Sequence, residues 1–299
     1  LGSLPERYFI LERSAELRQR QQQALQTHAP RFEQRVVWLE ALPEKGFRGV
    51  MLANEVLDAM AVERFHWDGD NAGIFYVVSG DSGFAWQRGT TQDELTAAVV
   101  GKLAQECALA PGYVSEVNTG LQPWLQGISE RLARGLILLI DYGYPRREYY
   151  HPQRTKGTLM CHYRQRAHDN PLLWPGLQDI TAHVDFTAVA EAAVAAGLNV
   201  SGYTTQAYFL LDCGLEEFLR TAGPADSVDY LRLAQQAKML LLPGEMGERF
   251  KCNGLTRALE QPLHRFRKQA QRSSLLMTAY HSSLAALSIA QTIGEYVPK

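Results

Sequence analysis

The sequence predicts a doubly wound α/β sheet, and three observations carry that prediction. Short apolar runs recur, each closed by a polar residue: Tyr8–Leu11 by Glu12, Val36–Leu39 by Glu40, and Val50–Ala53 by Asn54 and Glu55. A Gln-rich amphipathic stretch, Ala15–Thr27, separates the first two runs, with Ser14 placed as its N-cap. Leu136–Ile140 is the strongest strand signal, five aliphatic residues followed by Asp141-Tyr142-Gly143-Tyr144-Pro145. Strands buried on both faces of a parallel sheet read as short unbroken apolar runs, and their alternation with helices marks the α/β class. In open α/β sheets, ligands lie just beyond the carboxyl ends of the strands. The polar residues that close these runs are therefore candidates for function.

The remaining elements follow in order. Residues 62 to 89 change character: VERFHW, AGIFYVVSG and GFAWQRG are short, aromatic and separated by Asp68-Gly69-Asp70 and Asp81-Ser82-Gly83. They predict an antiparallel meander inserted into the α/β scheme. Gln92–Ala108 reads as a helix capped by Thr90 or Thr91, and Leu121–Ala133 as a second. Residues 146 to 182 show little periodicity and many Arg, His and Tyr side chains, the mark of a long functional or mobile loop. Phe186–Ala196 predicts an apolar helix, capped by Asp185 and ended by Gly197. Val200–Leu211 reads as a strand region and Asp229–Leu242 as an amphipathic helix stopped by Pro243-Gly244. No strong signal follows Arg257, and no repeat or low-complexity segment is visible.

Composition excludes several classes. The chain has 299 residues, 46% of them hydrophobic and 21% charged, which predicts a soluble globular core in one large domain or two ordinary ones. A net charge of −2 supplies no global field for nucleic acid or an acidic membrane. Cys107, Cys161, Cys213 and Cys252 form no CxxC pair, which argues against a zinc knuckle or disulfide framework and fits a reducing compartment. No apolar run reaches the length that spans a bilayer. The chain opens LGSLPERYFILE, like the middle of a domain. The expected location is cytoplasmic by default, and mitochondrial if a missing N-terminus carries a transit peptide. The oligomeric state leaves no trace in the sequence.

Chemistry-bearing side chains gather at two places. Asn54 and Glu55 close a strand and Asp58 follows. If a helical turn starts there, Glu55 and Asp58 share a face, because side chains at i and i+3 are neighbours. Two carboxylates and an amide at a strand mouth can hold a cation, a guanidinium or a ribose. Equally, acids at a helix N-terminus simply complement its dipole. Asp141 either reaches the same site or forms a turn before Gly143. In GLQDITAHVDF, Asp179 and Thr181 precede His183, and Asp185 follows. Asp185 reads as a helix cap. His183 is either a structural hydrogen-bonding residue or a general base or substrate contact.

Two rival classes compete. His151, His162, His168 and His183, with Asp169, Asp179 and Asp185, offer imidazole and carboxylate ligands for zinc or iron. No HExxH-type spacing accompanies them, which disfavours a metal-dependent hydrolase. Arg146, Arg147, Arg154, Lys156, Arg164 and Arg166 form a basic stretch interleaved with Tyr149, Tyr150 and Tyr163. Such a stretch suits a partner-binding or assembly module, or a solvated loop.

The segments YFILERSAELRQRQ, NEVLDAMAVERF, LIDYGYPRREYY, GTLMCHYRQRAHDNPLLWPGLQDITAHVDFTAVAEAA and KMLLLPGEMGERFK follow one another from about residue 5 to about residue 252. Together they resemble the MidA family of methyltransferase-like proteins, whose mitochondrial members include a complex I assembly factor that methylates an arginine. The resemblance implies a Rossmann-like class I methyltransferase sheet with inserted antiparallel strands and helices. The expected domain spans residues 1–257, with the insertion at about 62–133, and leaves 258–299 as an unassigned tail. The implied cofactor is S-adenosyl-L-methionine, with no metal.

By the same resemblance, Glu12 closes the second strand and holds the ribose hydroxyls, as a carboxylate with several lone-pair sites can. Trp38, Leu39 and Glu40 border the adenine, and Asn54 and Glu55 the methionine half and the reacting methyl. If the acceptor is an arginine, carboxylates can grip its guanidinium and leave one nitrogen free to attack. Glu55 is the first candidate for that role, with Asp58, Asp179 and Asp185 behind it and His183 as a further catalytic candidate. The implied partner is a protein substrate, with a respiratory-complex-type subunit as the narrower expectation. One departure stands out. The family's glycine-rich loop belongs before Glu12, where the only glycine is Gly2. The expectation is an N-terminally truncated member, lacking the first strand and its loop and binding cofactor poorly or only as a partner-binding module.

Overall fold

The computed structural model describes residues 4–259, except 82 and 222, together with 263 and 266. Most of the tail expected after residue 257 lies outside the described residues. The chain opens with β1 (Tyr8–Leu11), α1 (Ala15–His28), a 3₁₀ turn (Pro30–Arg35), β2 (Val36–Leu39) and β3 (Phe47–Asn54). Ser14 caps α1 as expected, its hydroxyl accepting from the Leu17 amide at 3.3 Å. β1 and β2 pair in parallel, Tyr8 opposite Val36 and Leu11 opposite Leu39.

An antiparallel unit follows: β4 (Glu63–Trp67), β5 (Ala72–Gly80), β6 (Gly83–Thr90), α2 (Glu94–Cys107) and β7 (Tyr113–Val117). Its strand order is β6-β5-β4-β7. Phe65, Ile74 and Tyr113 face Val100 and Leu103 of α2 in one apolar cluster. The expected meander is present, and β7 extends it. The α2 cap is Asp93 rather than Thr90 or Thr91; its carboxylate accepts from the Leu95 and Thr96 amides at 3.2 Å. An anionic acceptor at a helix N-terminus also meets the dipole favourably.

The remaining elements are α3 (Leu121–Ser129), β8 (Leu132–Tyr144), α4 (Arg146–Tyr149), β9 (Met160–Tyr163), β10 (Arg166–His168), β11 (Asp179–Thr181), β12 (Val184–Asp185), α5 (Phe186–Ala195), β13 (Asn199–Thr205), α6 (Gln206–Asp212), α7 (Leu215–Arg220), α8 (Val228–Leu241), α9 (Met246–Arg249) and β14 (Phe250–Arg257). β8 is the axis of the main sheet. β3 runs parallel to it, Val50 opposite Leu136 and Asn54 opposite Ile140, and β14 and β13 follow antiparallel on the other side. β12 pairs with the end of β8 through Val184 and Gly143. α3 and α5 cover one face, burying Leu125, Phe186 and Val189 against Ile137 and Leu139.

Several sequence expectations need correction. The second helix ends at Ser129, and the strand signalled by Leu136–Ile140 already begins at Leu132. Residues 146 to 182 are not one loop: they hold α4 and a three-stranded sheet of order β10-β9-β11. The 200–211 region is a strand only to Thr205, whose hydroxyl accepts from the Tyr208 amide and starts α6. β3 is not buried on both faces. Met51 and Ala53 pack on the α3–α5 core, whereas Val50 and Leu52 are 62% and 58% exposed.

β1 and β2 form their own two-stranded sheet, and among the described residues β3 pairs only with β8. The Phe9 and Phe47 rings meet at 6.3 Å, so β1 and β3 lie close without a ladder between them.

Candidate functional site

The site forms where β3 and β8 end. Asp141 projects from β8 and organises the turn after β3. Its Oδ2 accepts from the Leu57 amide at 3.0 Å and the Asp58 amide at 3.3 Å, and its Oδ1 from the Tyr142 amide at 2.9 Å. Glu55 sits at φ +50° and donates its amide to the Ile140 carbonyl at 2.9 Å. A left-handed residue at that point bends the chain off the sheet. No helix follows, so Glu55 and Asp58 do not share a helical face: Glu55 is exposed and Asp58 is buried. Asn54 Nδ2 bonds Glu55 Oε1 at 3.0 Å, orienting that carboxylate at the mouth. Asp141 is therefore not a turn former for Gly143; it is the hub of the 55–59 turn.

The β11–β12 segment closes the other side. The Ala182 amide donates to the Asp58 carbonyl at 3.0 Å. Asp179 is exposed at the start of β11, yet close enough for its charge to raise Asp58. Burial is the larger cause of that rise, and a hydrogen bond from Tyr142 opposes it. Burial, then the Asp58 charge, pushes Asp141 up to about 7. His183 packs edge-on against Tyr142 and Tyr144, both at 5.3 Å. Burial, aided by Arg154, Arg249 and Lys251, pushes it down to about 4, so the imidazole is neutral at pH 7. Its Nδ1 is buried without a partner among the described residues.

Asp185 turns away from this group. Its carboxylate caps α5 through the Thr187 and Ala188 amides and takes Arg146 Nε at 3.1 Å. Arg146 also reaches Glu106 at 2.9 Å and Glu191 at 2.5 Å. Burial disfavours its charge, but the three carboxylates raise its pKa overall. Arg146, Tyr149 and Tyr150 are buried, so the basic stretch is not one solvated surface. The clustered histidines do not converge either. His168 packs edge-on against Trp174 and His151 accepts from the Gln153 amide. Among the described residues no group of three His, Cys, Asp or Glu could hold a metal.

At the ends of β1 and β2, Glu12 accepts from the Ser14 amide at 2.8 Å and from Gln21 Nε2 at 3.2 Å. Gln21 Oε1 in turn accepts from Trp38 Nε1 at 3.1 Å. This side-chain relay joins two of the residues proposed for the cofactor. Leu39 is half-buried beside them, and Glu40 is exposed within 3.8 Å of Arg18. Sequence reasoning missed Gln21, one Gln among many in α1, and it missed Tyr142, whose position next to Asp141 was the available signal. A cavity of about 1050 Å³ reaches this region through Leu57 and His183 and runs between Leu95 and Val99 of α2 and Ala188 and Ala192 of α5; its acidic lining is Glu116, Asp185 and Glu191, not the carboxylates of the 55–58 turn. That volume admits a large side chain or small ligand.

The chain is similar to several known proteins. Residues 3–204 match the family described as "Putative S-adenosyl-L-methionine-dependent methyltransferase". A crystal structure of a Burkholderia thailandensis protein bound to S-adenosyl-homocysteine superposes with a TM-score of 0.83 at 40% identity, covering 89% of this chain and 68% of that one. A native crystal structure from the same species gives the same score and identity, with 70% of that chain covered. Among curated proteins, the Caenorhabditis elegans mitochondrial protein arginine methyltransferase NDUFAF7 homolog is 29% identical over 73% of this chain and 50% of its own length. NDUFAF7 of Danio rerio is 27% identical over 83% of this chain and 56% of its own. The chain thus spans about half the length of the curated relatives it matches. It belongs to the MidA-like family of S-adenosylmethionine-dependent methyltransferases.

Proposed function

We propose that the protein transfers a methyl group from S-adenosylmethionine to an arginine side chain of a protein. The observation that carries this reading is the set of carboxylates Glu55, Asp58 and Asp141 at the ends of β3 and β8, with the Asp179 charge close by on β11. The bound cofactor supplies an electrophilic methyl on a sulfonium. What the protein must add is position and charge complementarity. Glu12 has lone pairs left for two ribose hydroxyls after its two bonds to Ser14 and Gln21. Trp38, fixed by Gln21, and Leu39 offer apolar surface for a base. Asn54 and Glu55 stand where the methionine half would end.

Glu55 is the exposed carboxylate at the mouth and grips the guanidinium, which suits a bidentate partner. Asp179 adds charge from the opposite lip. His183, neutral and flanked by Tyr142 and Tyr144, lines the acceptor's approach. The named relatives support a protein acceptor and an arginine. A respiratory-complex subunit is the narrower acceptor, which would make the site of action mitochondrial, and otherwise cytoplasmic.

Incubation with tritiated S-adenosylmethionine and a mixed protein acceptor, then acid hydrolysis, tests the reading. Label in methylarginine is expected, and Glu55→Gln should lower the transfer rate about 100-fold. Label appearing only in lysine, histidine or carboxyl esters would refute arginine as the acceptor.

A further inference from the structure

Asp58 and Asp141 are 4% and 1% exposed, and among the described residues neither forms an ion pair. Asp141 spends both oxygens on backbone amides of Leu57, Asp58 and Tyr142. Asp58 Oδ1 is buried and has no hydrogen-bond partner among the described residues. The groups that face the pair are themselves acidic or neutral: the Tyr142 hydroxyl from β8, and Asp179 from β11. Thr181 bonds Tyr142 from the same strand. Lys251 lies opposite Asp141 in the β14 register, but its ammonium turns to the Glu248 carbonyl and the Tyr144 ring. Two neighbouring carboxylates in a buried setting without a cation resist full ionisation and share a proton.

We propose that Asp58 and Asp141 act as one proton-accepting unit, doubly ionised when a cationic acceptor is bound and sharing one proton after methyl transfer. This rests on the methyl-transfer reading above. The acceptor nitrogen's lone pair forms the N–CH3 bond as the S–CH3 bond breaks, its electrons staying on sulfur. An N–H bond then breaks, its electron pair stays on nitrogen, and the proton passes to Asp58. Charge balances: two cations and two carboxylates become a methylguanidinium, a neutral thioether and a singly protonated pair. Asp58 is the catalytic base, its Oδ1 without a hydrogen-bond partner among the described residues and so left with lone pairs for a proton. Asp141 is a positioning residue, which fixes Asp58 through its backbone amide and shares the proton.

Two measurements test this. Infrared difference spectra of the protein without acceptor should show the carbonyl band of a buried neutral carboxylic acid, appearing as pH falls through about neutrality and absent from Asp58→Asn and Asp141→Asn. Wild-type spectra without that band down to about pH 5 would overturn the proposal, whatever the variants do. In single-turnover methyl transfer, the wild-type rate should rise with pH and level off above about 7. Asp58→Asn should lose that limb and at least about 100-fold in rate while S-adenosylhomocysteine affinity stays within about twofold. Asp58 Oδ1 has no partner to lose, so the Asn variant should fold. Transfer that keeps its acidic limb in Asp58→Asn sinks the shared base alone. A wild-type protein that neither binds S-adenosylhomocysteine nor transfers a methyl sinks the methyltransferase reading beneath it.

Discussion

Asp141 binds three amides from a position that cannot reach solvent, and the fold holds it there against its own preference for a neutral form. Its pKa is raised on folding, so the stability linked to it is fully present below its ordinary carboxylate range and is lost as pH rises through about 7. The part of the unfolding free energy that Asp141 carries, read as wild type minus Asp141→Asn, should therefore fall between about pH 5 and pH 8 by on the order of 2–4 kcal/mol. Urea titrations of both proteins at those two pH values check this, and a difference that is flat or rises would count against a buried, cation-free pair. His183 works at the acid end: its pKa is depressed, so its contribution is present above about 6.5 and is lost as pH falls towards about 4. Arg146 is the opposite case, a buried cation with three carboxylates. Arg146→Met leaves buried Asp185 without its cation and Glu106 and Glu191 with only the more exposed Lys102, and should cost about 3–5 kcal/mol in urea unfolding. At this scale the sequence was a partial guide. Glu55, Asp58, Asp141 and His183 were visible as chemistry-bearing residues. That Glu55 turns left-handed, separating it from Asp58, depends on an amide grip from a strand 84 residues away, which no local pattern records. Arg146 looked like one of a solvated run because its partners lie on two helices distant in sequence.

Elements with one clear period were legible. α1, α5 and α8 lie within a residue or two of their expected bounds, because caps such as Ser14 and Asp185 are local chemistry. β7 and β14 gave little warning: YVSEV and FKCNGLTR mix polar and apolar residues, yet both strands are buried almost throughout. Some of their polar groups find distant partners, as where Glu116 Oε2 accepts from the Thr158 amide at 2.7 Å, while the side chains of Ser115 and Asn253 are buried without a hydrogen-bond partner among the described residues. β12 is only two residues long, and it places His183 and Asp185. It depends on Gly143, where an added Cβ would lie 2.1 Å from the Val184 carbonyl oxygen. Gly143→Ala should push β12 off β8, destabilise the protein by about 1–3 kcal/mol and lower methyl transfer more than cofactor affinity. Thermal unfolding together with S-adenosylhomocysteine binding checks this; a variant with a normal melting temperature and normal transfer would show that the close approach does not matter.

The molecule as a whole sets two half-sites beside each other. One is the β1–β2 pair with the Glu12–Gln21–Trp38 relay; the other is the β3–β8 sheet with its carboxylates. Among the described residues no ladder joins β1 to β3, and Val50 and Leu52 of β3 are exposed. Fold class and cofactor were legible from the order of the motifs, whereas the separation of the β1–β2 pair from the β3–β8 sheet is a matter of strand pairing that no local pattern records. The related protein bound to S-adenosyl-homocysteine is longer than the part this chain matches. Cofactor binding is the claim on which the rest depends. The most direct measurement is a calorimetric titration of S-adenosylhomocysteine into this chain, into a form lengthened ahead of Leu1 to carry a glycine-rich loop, and into Glu12→Ala of whichever binds. Saturable one-to-one binding is expected, tighter in the lengthened form and weakened by about 1–3 kcal/mol when Glu12 loses its carboxylate. No binding by either form while both are folded, or an unchanged affinity in Glu12→Ala, would contradict a cofactor site at the ends of β1 and β2.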